Sequence, residues 1–327
     1  VARIKDVAKR AGVSVASVSR VLAGQPGVGA ETRERILTTI REMEYRPDLA
    51  ARRLRSRRTD ILGLIVSDIR NPFFTDVSRA VEDVAYQRGL RVMYCNADED
   101  PAKETLYLEM MRDENVSGVI LSPTQSLLER FRSQDFSFPI VLVDRALPDT
   151  QADAVVVDNA DSTERMVRHM IETGRRRILF LYGEASATGC ERYEGYAAAM
   201  RAAGLEVQAQ GLAPTGEGAL DITRAVLASS PRPEAIVCSN GPILLGLIDA
   251  IREAGLRVPQ DLAISGFDDP FWARLVQPAV TAVAQPTYEM GRAAIELLLS
   301  RIANPGQEFR RVVLPGELVV RESSARA

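Results

Sequence analysis

The chain has 327 residues, 46% of them apolar and 26% charged. That suits two or three packed domains and excludes a disordered, collagen-like or coiled-coil chain. The net charge of −3 hides a division: residues 1–60 carry 14 Lys and Arg against 7 Asp and Glu, and the remainder carries 27 against 37. A basic module for a polyanion, joined to an acidic body, is the expected arrangement.

No apolar run approaches the roughly 20 residues that a membrane helix needs. The charged start, VARIKDVAKR, lacks the apolar stretch of a secretory signal, and Cys95, Cys190 and Cys238 have no metal-ligand spacing. A reduced, cytoplasmic protein without metal, cofactor or membrane partner is expected.

The first 45 residues read as three short helices. Ile4, Val7, Ala8 and Ala11 recur at helical spacing, and Gly12 can end that helix in a left-handed conformation. Ser14 is a good cap for a second helix, with apolar positions Val15, Val18, Val21 and Leu22. After the loop GQPGVG, a third helix is expected from about Glu31 to Met43, with Ile36, Leu37, Ile40 and Met43 inward. Helix, tight turn and helix make a helix-turn-helix. Its second helix offers Val15 and Ala16 to base edges and Arg20 to guanine O6 and N7, with Ser14, Ser17 and Ser19 placed for phosphates.

Residues 48–58 hold five arginines and only two large apolar residues, Leu49 and Leu54. This segment reads as a linker that orders on a partner. From Ile61 the pattern becomes strand–helix alternation. Strands are predicted at 61–67, 90–96, 118–122, 139–144, 154–158, 177–183, 235–240, 262–269 and 280–285. Apolar on both faces, they suit parallel strands covered by helices, in two similar α/β lobes.

IKDVAKRAGVSVASVSRVLAG followed by VGAETRERILTTIREMEYRPDLAARRL resembles the N-terminal signature of the lactose/galactose repressor family (LacI/GalR), and the similarity continues to the last strand. The resemblance implies a helix-turn-helix domain at 1–46, a hinge helix within 47–60, and a periplasmic-binding-protein-like core at 61–327. The core would have one lobe at about 61–158 plus 287–312 and the other at about 162–285 plus 316–327. Val15, Ala16 and Arg20 fall on the family's base-reading positions, and Ala23 stands where many members have Asn. Leu54 falls on the leucine that wedges into a minor-groove step, where Arg52 and Arg55 would hold phosphates. Two wedges imply a homodimer on double-stranded DNA with a pseudo-palindromic operator. The chain stops just after its last strand without a leucine heptad, which favours a dimer over a tetramer.

In open α/β sheets, ligands sit beyond the carboxyl ends of strands. Residues predicted there are Asn71, Phe73, Phe74, Asp144, Arg145, Arg192, Asn240, Asp268 with Asp269, and Gln285. Planar polar groups suit vicinal hydroxyls, and aromatic faces cover a sugar ring. All but Asn71 and Asp269 match sugar-contact positions of the ribose-binding and ribose-repressor branch. Two departures are plain: Asn240–Gly241 replaces Asn–Asp, and 213–218 lacks that branch's second aromatic. The expected function is a transcriptional repressor of carbohydrate use, controlled by a monosaccharide or sugar acid between the lobes. A purine-responsive member of the same family and a solute-binding protein are the alternatives. The only histidine, His169, lies in a helical run, and no GxSxG, GxxxxGK or HExxH occurs, so no enzyme is expected.

Overall fold

The computed structural model describes residues 3–22, 26–43, 45, 59–213 and 215–326. Ala23 and the linker residues Arg52, Leu54 and Arg55 lie outside them. The chain divides into two units, up to Thr59 and from Asp60 onward.

The first unit holds α1 (Ile4–Ala11), α2 (Val15–Leu22) and α3 (Ala30–Glu42). Gly12 ends α1 with φ +66°, and its N–H donates to the carbonyls of Ala8 and Lys9. Ser14 caps α2: its Oγ accepts from the Ser17 N–H at 3.1 Å. Val7, Ala8, Ala11, Val18, Val21 and Ile36 make the core. Leu37, expected inward, is 41% exposed, and Thr39 is buried instead. With Ile36 facing the core, the same side of the helix returns at positions 39, 40 and 43, so Leu37 points about 100° away.

The second unit is built on two six-stranded sheets. The first contains β1 (Ile61–Val66), β2 (Arg91–Asn96), β3 (Val119–Leu121), β4 (Ile140–Val143), β5 (Asp153–Val157) and β11 (Arg311–Leu314), in the order β11-β5-β4-β3-β1-β2, all parallel. Leu62, Leu64 and Val66 pack under α4 (Pro72–Gln87) and α11 (Thr287–Ala303). Ile61 and Ile65 point the other way, onto α5 (Pro101–Asp113) and α6 (Gln125–Arg130). Both faces are covered, which is why the strands carry unbroken apolar runs.

The second sheet contains β6 (Ile178–Gly183), β7 (Gln208–Leu212), β8 (Ala235–Cys238), β9 (Ala263–Phe267), β10 (Thr281–Ala284) and β12 (Glu317–Val319). Its order is β12-β10-β9-β8-β6-β7, and only β12 is antiparallel. Helices α7 (Asn159–Glu172) and α8 (Ala187–Ala202) cover one face, and α9 (Gly216–Ala228) and α10 (Gly241–Glu253) the other. The chain passes between the sheets after Val157, after Ala284 and after Leu314.

Strands β7, β11 and β12 escaped the sequence reading. Each lies at a sheet edge. QAQGL, RVVL and ELV keep polar or exposed positions that a doubly covered strand would not.

Where α7 crosses α8, Gly195 brings the helices together: a Cβ there would lie 2.1 Å from the Ala160 carbonyl oxygen. Gly195→Ala is therefore expected to cost about 3 kcal/mol. Gly306→Ala, with nothing within 4 Å, should change stability by less than about 0.5 kcal/mol. Urea unfolding of both variants checks this, and equal stabilities would contradict the close approach.

Candidate functional site

The carboxyl ends of both sheets face one cleft, with about 820 Å³ of space between its walls, open solvent at the mouth included. Asn71, Phe73, Phe74, Asp144, Arg145, Arg192, Asn240, Asp268 and Gln285 all line it. The topology explains this convergence of residues more than 200 positions apart. Each follows a parallel strand or opens the helix after it, and parallel strands end on the same side.

Asn71 and Asn240 cap α4 and α10. Their side-chain oxygens accept from the Phe73 N–H at 3.1 Å and the Ile243 N–H at 2.8 Å. The oxygen is spent on the cap, and the amide NH2 is left as the donor. Phe73 and Phe74 meet edge to face, centroids 4.9 Å apart, and are buried except where they border the cleft.

Asp144 and Asp268 occupy equivalent places after β4 and β9. Each still donates its N–H to the neighbouring strand, at Val155 and Val283, and each then turns into the left-handed region, with φ +73° and +85°. Asp98 and Glu99 are also left-handed, at +52° and +56°. Such backbone is uncommon for residues with a Cβ, and its concentration round the cleft marks a built site.

Arg192, in α8, is only 4% exposed. Its Nε donates to Asn159 Oδ1 at 2.8 Å and its Nη1 to the Ser239 carbonyl at 2.6 Å, while Asp268 Oδ1 lies 3.9 Å from Nη1. The guanidinium also sits 3.7 Å over the Phe267 ring. Burial lowers its pKa, and the facing carboxylates of Asp268 and Asp144 oppose that shift. Asp268 accepts from the Gly241 N–H at 2.8 Å and from Gln285 Nε2 at 2.6 Å. Gly241 keeps the space beside that carboxylate open: a Cβ would lie 3.6 Å from Oδ2.

Arg145 is 6% exposed and forms a two-pronged ion pair with Glu99, at 2.6 and 2.8 Å. Its Nε lies 3.2 Å from Asp144 Oδ2, close enough for an ion pair but without hydrogen-bond geometry. Two buried polar atoms of the cleft thus have no hydrogen-bond partner among the described residues, Arg145 Nε and Gln285 Oε1.

Several lining residues were not anticipated from sequence: Asp68, Arg70, Asp98, Glu99, Thr188 and Thr215 among them. Glu99 sits in an acidic loop, Asp-Glu-Asp, before α5, which Asp100 caps. Asp269, grouped with Asp268 in the sequence reading, faces elsewhere: both its oxygens bind Arg321, at 2.6 and 2.8 Å. Among the described residues, no group of three or more His, Cys, Asp or Glu could hold a metal, and no helix is long and apolar enough to cross a membrane.

In the first unit, Ser14, Ala16 and Arg20 are exposed, while Ser17 and Ser19 are partly so. Val15 is half-buried and packs on the core, which leaves only part of it for a groove. Ser14 and Ser17 also share a hydrogen bond between their hydroxyls at 3.0 Å.

Burial pushes the Asp144 pKa from 3.8 up to about 6, against the opposing pull of Arg145 and Arg192. Between about pH 4 and 6 the folded chain therefore holds a proton that the unfolded chain has released. The stability from this group is complete below about pH 4, is lost as pH rises to 6, and is constant above. Asp144→Asn cannot ionise, and Asn tolerates a left-handed backbone. It should exceed the parent in stability by up to roughly 3 kcal/mol at pH 7.5, the gain vanishing toward pH 4. Urea unfolding at both pH values and one protein concentration measures this. A variant less stable at pH 7.5 would contradict it.

Residues 3–48 match the family of bacterial regulatory proteins called lacI, and residues 167–324 match a periplasmic binding protein-like domain. The ribose operon repressor of Halalkalibacterium halodurans is 35% identical over 326 residues, covering 98% of this chain and 96% of that protein. The transcriptional repressor PurR of Haemophilus influenzae is 33% identical, covering 98% of each. Among solved structures, the complex of the transcriptional regulator CelR with cellobiose superposes with a TM-score of 0.72 at 30% identity, covering 99% of this chain and 100% of that one. These relatives are regulators, not enzymes. With its helix-turn-helix unit and two-lobed α/β core, the chain belongs to the lacI family of transcriptional regulators.

Proposed function

We propose that this regulator is a cytoplasmic repressor that binds a pseudo-palindromic operator as a homodimer, and that a monosaccharide in the cleft sets its operator affinity. Val15, Ala16 and Arg20 read bases, with Ser14, Ser17 and Ser19 at phosphates. Leu54 wedges into the central minor-groove step between phosphates held by Arg52 and Arg55.

The observation that carries the effector class is the mixed lining of the cleft. Asn71 and Asn240 spend their side-chain oxygens on helix caps and keep their amide NH2 groups as donors, and the carboxylates of Asp144 and Asp268 are acceptors in the same lining. A hydroxyl donates and accepts at once, so a ring bearing several hydroxyls suits such a mixture. The aromatic pair Phe73 and Phe74 gives the same cleft an apolar wall for the C–H side of the ring. The ribose operon repressor among its relatives fits this reading, and the cellobiose-bound regulator supports a saccharide in general.

A thermal-shift panel of pentoses, hexoses, sugar acids and purines tests it. A ligand at 100 times its dissociation constant adds about 2.7 kcal/mol of apparent stability. We expect a sugar to raise the melting temperature, with the rise lost in Arg192→Ala and Asp268→Ala variants that still melt cooperatively. Trp272, four residues past Asp268, gives a second readout by fluorescence. A shift with purines and none with any sugar would overturn the proposal.

A further inference from the structure

We infer that Glu99 is a charge filter that makes the cleft select neutral sugars and reject their acids and phosphates. The inference rests on the cleft being the sugar site and goes further, to the class of sugar it accepts.

A buried arginine in a sugar cleft would ordinarily welcome a carboxylate, because its fork matches two carboxylate oxygens. In this chain that fork is already filled. Glu99 takes both Nη atoms of Arg145, and the Pro123 carbonyl accepts from Nη1 as well at 3.3 Å. On its other edge Nε faces a second built-in carboxylate, with Asp144 Oδ2 at 3.2 Å.

Glu99 is held in this position by its backbone. Its N–H donates to the Ser67 carbonyl at 2.9 Å, and the consecutive left-handed residues Asp98 and Glu99 turn the side chain back over Arg145. An anion reaching for Arg145 must displace a carboxylate that the protein has built in, or lie against it.

The other charges do not compensate. Arg192 is engaged through Nε by Asn159 and through Nη1 by the Ser239 carbonyl, with the Asp268 carboxylate 3.9 Å from Nη1 and the Phe267 ring beneath. Arg70 is paired through two nitrogens with Asp68, at 2.9 Å each. Against these three guanidiniums the cleft presents five carboxylates, Asp68, Asp98, Glu99, Asp144 and Asp268, of which Asp98 is also paired with Lys103 at 2.5 Å. A neutral polyol enters that field without penalty, and a second anion does not.

Isothermal titration of the full chain with matched pairs tests this: D-ribose and D-ribonate, D-galactose and D-galactonate, D-glucose and D-gluconate. The parent should bind the neutral member of its preferred pair at least tenfold more tightly than the acid. Glu99→Gln and Glu99→Ala should each shrink that ratio by tenfold or more, by strengthening the acid relative to the sugar. If Glu99 only braced the loop, both members would weaken together and the ratio would stand, which would overturn the filter. A parent that prefers the acid would overturn it too. Sugar binding that is lost in Arg192→Ala, with an unchanged ratio in the Glu99 variants, would remove the filter and leave the cleft reading intact. No binding of any probe by parent or variants would overturn both.

Discussion

Arg192 carries its charge into a position where almost no water reaches it, and the cleft is arranged round that fact. A buried guanidinium is tolerated only when its donors are taken up by good acceptors. Here the acceptors come from separate parts of the chain: Asn159 where the chain first enters the second lobe, and the Ser239 carbonyl just after β8. The Phe267 ring at the end of β9 covers its face, and Asp268 lies just beyond hydrogen-bond range. One side chain thus ties the start of α7 to the carboxyl ends of β8 and β9. Asp268 in turn fixes Gly241 and Gln285, and so reaches the second crossing between lobes.

The first lobe repeats the plan with a different balance. Asp144 stands where Asp268 stands in the second lobe, with the same backbone bond to the next strand and the same left-handed turn. Asp268 is satisfied by an amide N–H and a glutamine. Asp144 has a misaligned arginine beside it and is raised toward neutrality by burial. Of the two carboxylates, the one with unspent hydrogen-bonding capacity is therefore in the first lobe, and the one fixed by its neighbours is in the second. Such a division suits a ligand that is seated on one lobe and completed by the other.

Much of this was legible in the sequence because parallel α/β folds repeat one rule. Once β1, β4, β8, β9 and β10 are read from their apolar runs, the residues just beyond them must share an edge, and Asn71, Asp144, Asn240, Asp268 and Gln285 follow. The helix-turn-helix was legible because Gly12 and Ser14 are a stop and a start two residues apart. Partnerships were not legible. Nothing in the order of residues tells that Glu99 turns back onto Arg145, that Asn159 braces Arg192, or that Asp269 leaves the cleft for Arg321. These depend on which backbone positions turn left-handed and on contacts across 33 to 52 residues. The edge strands were missed for a related reason: half-covered strands lose the apolar signal that marks the covered ones.

The central claim is that occupancy of this cleft and affinity for DNA are one equilibrium. Coupling of that kind is reciprocal by thermodynamic necessity. The direct measurement uses a duplex selected by the protein from a random-sequence pool. Duplex affinity is measured by fluorescence anisotropy with and without the sugar, and sugar affinity by calorimetry with and without the duplex. The account predicts that each ligand changes the affinity of the other by the same factor, at least about fivefold. Sugar binding that leaves duplex affinity unmoved would contradict it.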